Sequence, residues 1–421
     1  MKSSACIAVA VLAACATAAS AQQQKVNPPI AVYWMSIDTS SGLPMGGMGG
    51  GGEGPSMMDI GRMMLGGGMD GGGANRSMRL ELGAQRTATG TPAAAHEIPP
   101  GLNMGASLPL ETPQKPRREP REDGMPENFE KPRGRMLIFW GCGEKAGPGQ
   151  PYVIDFAKLA QGDMPQGLIS RRVTVQRGPS PARSRTYGDW PNQRDSTRVA
   201  GDGSLRGDHA VKGNYSPDIR FSLADKYDFM EPVNLAMKKS GGGSIGMSWN
   251  SVANVHGYFA TAMGSSGGED IVFWSSSNSR EFGDQLLNWL PPSEVARLIR
   301  EKVVMPASTT ECTVPAQFVA AAPSAFVRFI AYGEEANFVH PPRPQDPKIT
   351  WSPDWAVKVR LKSTTSAMLG EEGMGGGGSR SRSRGAESTP AQGGQQQSGG
   401  ETPAIDPVQE GLKALKGLFG R

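Results

Sequence analysis

Histidine and cysteine are scarce, with four of each in 421 residues. The histidines, His96, His209, His256 and His340, are scattered without acidic companions at useful spacing. That pattern argues against a local acid–base constellation. No cysteine has a metal-ligand partner at close spacing, so a zinc site is not expected. Downstream of the first residues no apolar run is long enough to span a bilayer as a helix. A dominant charge sign is lacking as well: 44 basic and 40 acidic residues leave a formal charge of +4, which implies no nucleic-acid partner. No cofactor is expected.

Glycine and proline, by contrast, number 57 and 34 of 421 residues, well above the roughly 12% of average chains. Much of the excess lies in discrete low-complexity stretches, so the folding part of the chain is shorter than its length.

Met1 and Lys2 precede an apolar stretch from Ala5 to Leu12, and Ala19-Ser20-Ala21 stands before Gln22. This is the layout of a cleavable secretory signal over residues 1–21. A second cut competes with it, because Leu12-Ala13-Ala14-Cys15 resembles a bacterial lipobox in which Cys15 carries the lipid. Both readings place the protein in the periplasm or cell envelope of a bacterium. A cut after Ala21 leaves Cys142 and Cys312. In an oxidising compartment they read as one disulfide joining two halves of the folded region, the alternative being two buried thiols that never meet.

The patterning predicts a mainly β protein: two β-sandwich-like domains with low-complexity insertions, a short helical insertion, and a disordered C-terminal tail ending in a helix. The first domain is expected over 28–175. It contains an apolar, β-branched run from Ile30 to Ile37, an alternating segment from Ser77 to Leu82, and a central strand from Met136 to Trp140. Residues 42–74, rich in glycine and methionine, carry no periodicity and form a disordered insertion. Residues 176–207, with arginine, proline and serine and weak apolar patterning, form the linker.

The second domain is expected over 208–365. Trp249 follows a short strand at Ile245-Gly246-Met247-Ser248, Tyr258 begins the next, and Ile271–Trp274 and Phe326–Gly333 follow. This series resembles a fibronectin type III sandwich, in which a tryptophan and a tyrosine in successive strands fill the core. Leu286, Leu287, Leu290, Val295, Leu298 and Ile299 mark a helical insertion at 280–305. From Trp355 to Lys362 the alternation is strict, and it predicts an edge strand whose outer face carries Lys358, Arg360 and Lys362. Residues 366–404 form a disordered linker. Asp406-Pro407 then opens an amphipathic helix over 405–421, with Val408, Leu412, Leu415, Leu418 and Phe419 on its apolar face.

Three functional readings follow. Val408, Leu412, Leu415, Leu418 and Phe419 on a marginal, tethered helix need a surface, and another envelope protein or the membrane would supply it. The leading expectation is therefore a non-catalytic interaction or structural module. An alternative is soft-metal (copper) binding by Met45, Met48, Met57, Met58, Met63 and Met64, whose thioethers suit Cu(I). A third is an enzyme of unrecognised class. Gly242-Gly243-Ser244-Ile245-Gly246 and Gly264-Ser265-Ser266-Gly267-Gly268 both match G-x-S-x-G, but neither is followed by a helical pattern, which that nucleophile turn requires. The sequence leaves the oligomeric state open.

Overall fold

The computed structural model describes residues 24–43, 74–114, 134–160, 173–174, 176–266, 268–281 and 284–369. The strands in chain order are β1 (Ala31–Gly42), β2 (Asn75–Ala84), β3 (Ala94–Glu97), β4 (Ser107–Leu110), β5 (Arg135–Trp140), β6 (Tyr152–Asp155), β7 (Thr186–Trp190), β8 (Gly207–Gly213) and β9 (Ile219–Leu223). There follow β10 (Ala236–Lys239), β11 (Ile245–Ser248), β12 (Gly257–Ser265), β13 (Ile271–Ser275), β14 (Met305–Pro306), β15 (Glu311–Val314), β16 (Phe326–His340) and β17 (Trp355–Met368). Short helices are α1 (Phe156–Ala160), α2 (Pro292–Arg300) and α3 (Ala316–Ala321). The protein is mainly β, and the expected insertion at 280–305 holds a 3-10 turn at Asp284–Leu287 followed by α2.

One ten-stranded sheet runs β6-β5-β13-β12-β16-β17-β1-β2-β7, with β14 attached to β12. Its spine is the long β16–β17 hairpin. The apolar row of β1 explains why it assembles: Tyr33, Met35 and Ile37 lie opposite Val357, Val359 and Leu361 of β17, and opposite Leu82, Leu80 and Met78 of β2. All nine are buried. Nine adjacent apolar side chains on one face fix the register, because a one-residue slip would turn each of them to the other side.

Two smaller sheets cover that face at opposite ends. The sheet β10-β11-β15 lies over β13-β12-β16, where Trp249 meets Tyr258 and Phe329 at ring centroid distances of 5.5 and 4.7 Å. The sheet β4-β3-β8-β9 lies over β1-β17-β16, where His96 meets Tyr33 at 5.4 Å and Phe221 meets Phe338 at 5.3 Å.

The topology corrects the expected cut into two domains at 176–207. The large sheet joins β1, β2, β5 and β6 to β12, β13, β16 and β17, and the four-stranded sheet joins β3 and β4 to β8 and β9. The range expected to be linker contributes β7. The joins between the two halves of the large sheet are the parallel pairs β1·β17 and β5·β13. Parallel pairing needs a long crossover between its strands, so local patterning carries no trace of it. A second correction concerns β17. It is flanked by β16 and β1, not at an edge, and it continues to Met368, beyond the expected start of the linker at 366. Strict alternation reports that two faces differ; it does not report how many neighbours a strand has.

Candidate functional site

The face of the large sheet opposite Tyr33 and Met35 is polar. Register sets Trp34 beside Lys358, Ser36 beside Arg360, and Asp38 beside Lys362. On the far side of β1, Glu81 stands beside Trp34 and Arg79 beside Ser36. On the far side of β17, Asn337 and Glu335 stand beside Lys358 and Arg360. The cations read from sequence as an outward basic row thus lie in the middle of a mixed-charge lattice. The side chains of Lys358 and Lys362 are only 16% and 11% exposed.

Trp289, which follows the 3-10 turn, closes over this lattice and donates its indole N–H to the carbonyl of Ile37 at 3.0 Å. Cations and rings then alternate. The Arg360 guanidinium carbon is 4.6 Å from the centroid of Trp34 and 4.8 Å from that of Trp289, and Lys362 Nζ is 3.9 Å from the Trp289 centroid. Cations over indole faces, shielded from water, recover part of their lost hydration as cation–π attraction.

The carboxylates are distributed unevenly. Glu335 accepts from Lys358, from Gln176 at 2.9 Å and from Asn337 at 2.9 Å. Burial pushes its carboxyl up, but these hydrogen bonds prevail and hold it below the ordinary range. Glu81 pairs with Arg79 at 2.9 Å and accepts from the Tyr187 hydroxyl at 3.2 Å. Asp38 stands 3.6 Å from Lys362 and accepts from Thr364 at 3.0 Å. Burial raises Asp38 and lowers Lys362, each toward its neutral form, so their mutual attraction does not fully offset dehydration. Arg360 donates its Nε–H to Ser36 Oγ at 2.8 Å, and burial brings its guanidinium down to about 10 despite Glu81 and Glu335 nearby.

A second polar cluster is sealed between the large sheet and the four-stranded one. Tyr33 Oη is 2.8 Å from His96 Nδ1, His96 Nε2 is 2.9 Å from His209 Nδ1, and His209 Nε2 is 2.7 Å from the Leu205 carbonyl. Two of the four histidines that look unrelated in sequence are therefore hydrogen-bonded neighbours. The other two stay apart: His256 lies 3.4 Å from Glu334, and His340 stacks on Trp355 at 5.6 Å.

Cys142 and Cys312 form a disulfide with their Cα atoms 5.0 Å apart across 170 residues. It ties the turn after β5 to β15, and so ties the large sheet to the three-stranded one. Beside it, the Gly143 N–H donates to the Thr313 carbonyl at 2.8 Å. Of the G-x-S-x-G serines, Ser244 sits buried where the β10–β11 hairpin turns, hydrogen-bonded to Ser240 Oγ at 2.7 Å. Ser266 lies in the β12–β13 hairpin, its N–H directed at the Asp270 carbonyl at 3.4 Å. Among the described residues no group of three or more His, Cys, Asp or Glu is placed to hold a metal ion.

The methionines Met45, Met48, Met57, Met58, Met63 and Met64, and the apolar residues Val408, Leu412, Leu415, Leu418 and Phe419, lie outside the described residues. Their points of attachment do not. Gly42 pairs with Ser366 at the end of the parallel strands β1 and β17. Leu43 N–H donates to the Ser366 carbonyl at 2.9 Å, and Ser366 Oγ donates to the Leu43 carbonyl at 2.7 Å. The last described residues before the methionine-rich segment are thus hydrogen-bonded to β17 near its C-terminal end.

Sequence reasoning missed the Trp34–Arg360–Trp289 stack and the Tyr33–His96–His209 chain. The apolar and aromatic run of β1 and the cation row of β17 are legible in the sequence, but the register that brings Trp34 to Arg360 is not. The chain matches no protein-family model, no curated protein and no solved structure.

Proposed function

We propose that this is an exported, non-catalytic interaction module of a bacterial cell envelope, a β scaffold that presents the helix at 405–421 to another envelope protein or to the membrane surface. The observation that carries this reading is the clasp between Leu43 and Ser366. It ties Ser366, close to the last described residue of the chain, to the end of β1 in the largest sheet, so the tether toward 405–421 starts from a fixed point of the fold. Leu369 adds to it, donating its N–H to the Ala325 carbonyl at 2.7 Å.

Two further observations support parts of the reading. A disulfide across 170 residues suits a protein that matures in an oxidising compartment, in keeping with the signal-like start at 1–21. The three-stranded sheet β10-β11-β15 faces β13-β12-β16-β17, an arrangement compatible with a fibronectin type III-like sandwich in this part of the chain. Its large sheet is here extended by β1, β2 and β7 on one side and by β5 and β6 on the other.

The test is crosslinking in live cells of the native host, followed by recovery of the full chain and of a version ending before Thr402. One protein enriched with the full chain and lost with the truncation is the expected result. Recovery of both versions alone, with neither a protein nor lipid attached, would end the docking proposal.

A further inference from the structure

Arg79, Lys358 and Lys362 each face a carboxylate, at 2.9 Å for Arg79 and 3.6 Å for Lys362. Arg360, on the same face, has none within ion-pair distance among the described residues. A guanidinium carries five N–H donors in one plane. One is spent on Ser36 Oγ at 2.8 Å. The four on the terminal nitrogens meet no acceptor among the described residues, although Glu81 and Glu335 lie close enough to be felt electrostatically. Both carboxylates are already engaged, Glu81 by Arg79 and Tyr187, Glu335 by Lys358, Gln176 and Asn337.

Half-spent guanidinium groups are rare away from solvent, because each unpaired donor forfeits the hydration it lost. The fully enclosed side-chain atoms that lack partners are elsewhere, among them Thr39 Oγ1, Trp190 Nε1 and Ser275 Oγ. The terminal nitrogens of Arg360 are not among them, so they keep some exposure to solvent. The two indoles, 4.6 and 4.8 Å from the guanidinium carbon, hold its plane in place, so the two-pronged edge is oriented before anything binds. Lys362 adds a second cation under Trp289, its Nζ 3.9 Å from that ring.

We propose that Arg360, stacked between Trp34 and Trp289 and supported by Lys362, is a binding site for an oxyanion: the carboxylate or phosphate group of a small solute. The fork of a guanidinium matches two oxygens of either group, and a neighbouring ammonium contributes as a point charge. This site is independent of the C-terminal helix and stands or falls separately from the docking role.

The test is thermal unfolding of the full-length mature protein in sodium phosphate, sodium acetate and sodium chloride at equal ionic strength. A folded-state anion site raises the midpoint with ligand concentration. Phosphate or acetate is expected to raise it by about 2–4 °C over chloride at saturation, and which of the two does so identifies the oxyanion. Arg360→Met, which keeps an apolar stem between the two indoles and removes the fork, should remove the rise. Arg360→Lys, which keeps the charge without the fork, should weaken the anion by about tenfold or more. If Arg360→Met does not fold, the concentration dependence of Arg360→Lys decides. An equal rise in the wild type and either variant, or none in the wild type, overturns the site.

Discussion

His96 and His209 share one hydrogen bond, Nε2 to Nδ1 at 2.9 Å, in a part of the core where both rings are buried. The carbonyl of Leu205 can only accept, so His209 Nε2 carries a proton. A neutral His209 then accepts at Nδ1, His96 donates from Nε2, and Tyr33 donates its hydroxyl to His96 Nδ1. With both imidazoles neutral, every donor and acceptor in this chain is used once. A proton added to His209 Nδ1 meets the N–H of His96 Nε2, and one added to His96 Nδ1 meets the Tyr33 hydroxyl, which must then turn from donor to acceptor.

Acid should therefore loosen the fold. Burial lowers both histidines, with His209 lowering His96 further; Asp208 and the bond to Leu205 oppose the shift of His209 without reversing it. Tyr33 and Tyr215 stay neutral in this range, because burial raises both. In unfolded chains a histidine titrates near 6.5. Below that pH the unfolded state binds more protons than the folded one. The stabilisation is complete above about pH 6.5 and is lost as pH falls toward the folded values, with a limiting slope of about 2.7 kcal/mol per pH unit for two histidines. Urea midpoints measured from pH 8 to pH 5 should fall below 6.5, and a double substitution His96→Gln, His209→Gln should flatten that fall. Equal slopes in the two proteins would falsify the assignment.

Tyr33→Phe tests the same chain at neutral pH. It removes the donor to His96 Nδ1 and little volume, leaving a buried acceptor unpaired. The expected loss is about 1–3 kcal/mol. Denaturant titration with an unchanged m-value would attribute the loss to the native state.

The link between Cys142 and Cys312 spans 170 residues, so it restricts a long stretch of the unfolded chain. Replacing both by serine should lower stability by about 2–5 kcal/mol. The pair also fastens β15 to the turn after β5, and fast amide exchange should appear first in β10, β11 and β15. Uniform exchange through both sheets after the double substitution would mean that the staple acts on the unfolded chain alone.

Much of the strand content was legible, for an identifiable reason. Ala31, Tyr33, Met35 and Ile37 alternate with residues that are themselves half apolar, and Trp249 with Tyr258 marks two successive strands of a sandwich. Those signals are local. What lay out of reach were pairings between distant positions, such as Trp34 with Lys358 or Met136 with Ile271, because each strand is compatible with many neighbours until the whole sheet closes. The same limit hid the polar sites. His96 and His209 are 113 residues apart, and Trp289 reaches Ile37 across 252. Lys358, Arg360 and Lys362 look like a solvated row until Trp289 covers them.

Gly178 offers a way to disturb the Arg360 stack without touching a charge. A Cβ built on it would fall 2.7 Å from Trp34 Cε3 and 3.0 Å from Cδ2, closer than two carbons can approach. Trp34 is 6% exposed and has Arg360 on its ring face, so it has little room to retreat. Gly178→Ala should therefore destabilise by about 1–3 kcal/mol through overpacking and should shift tryptophan emission as the Trp34 contact with Arg360 changes. The comparison is Gly241→Ala at the β10–β11 turn, where an added Cβ meets nothing within 4 Å. That change should be neutral or slightly stabilising, by reducing the freedom of the unfolded chain. If the two substitutions behave alike, segment 176–180 does not press on Trp34, and the stack is held from the Trp289 side.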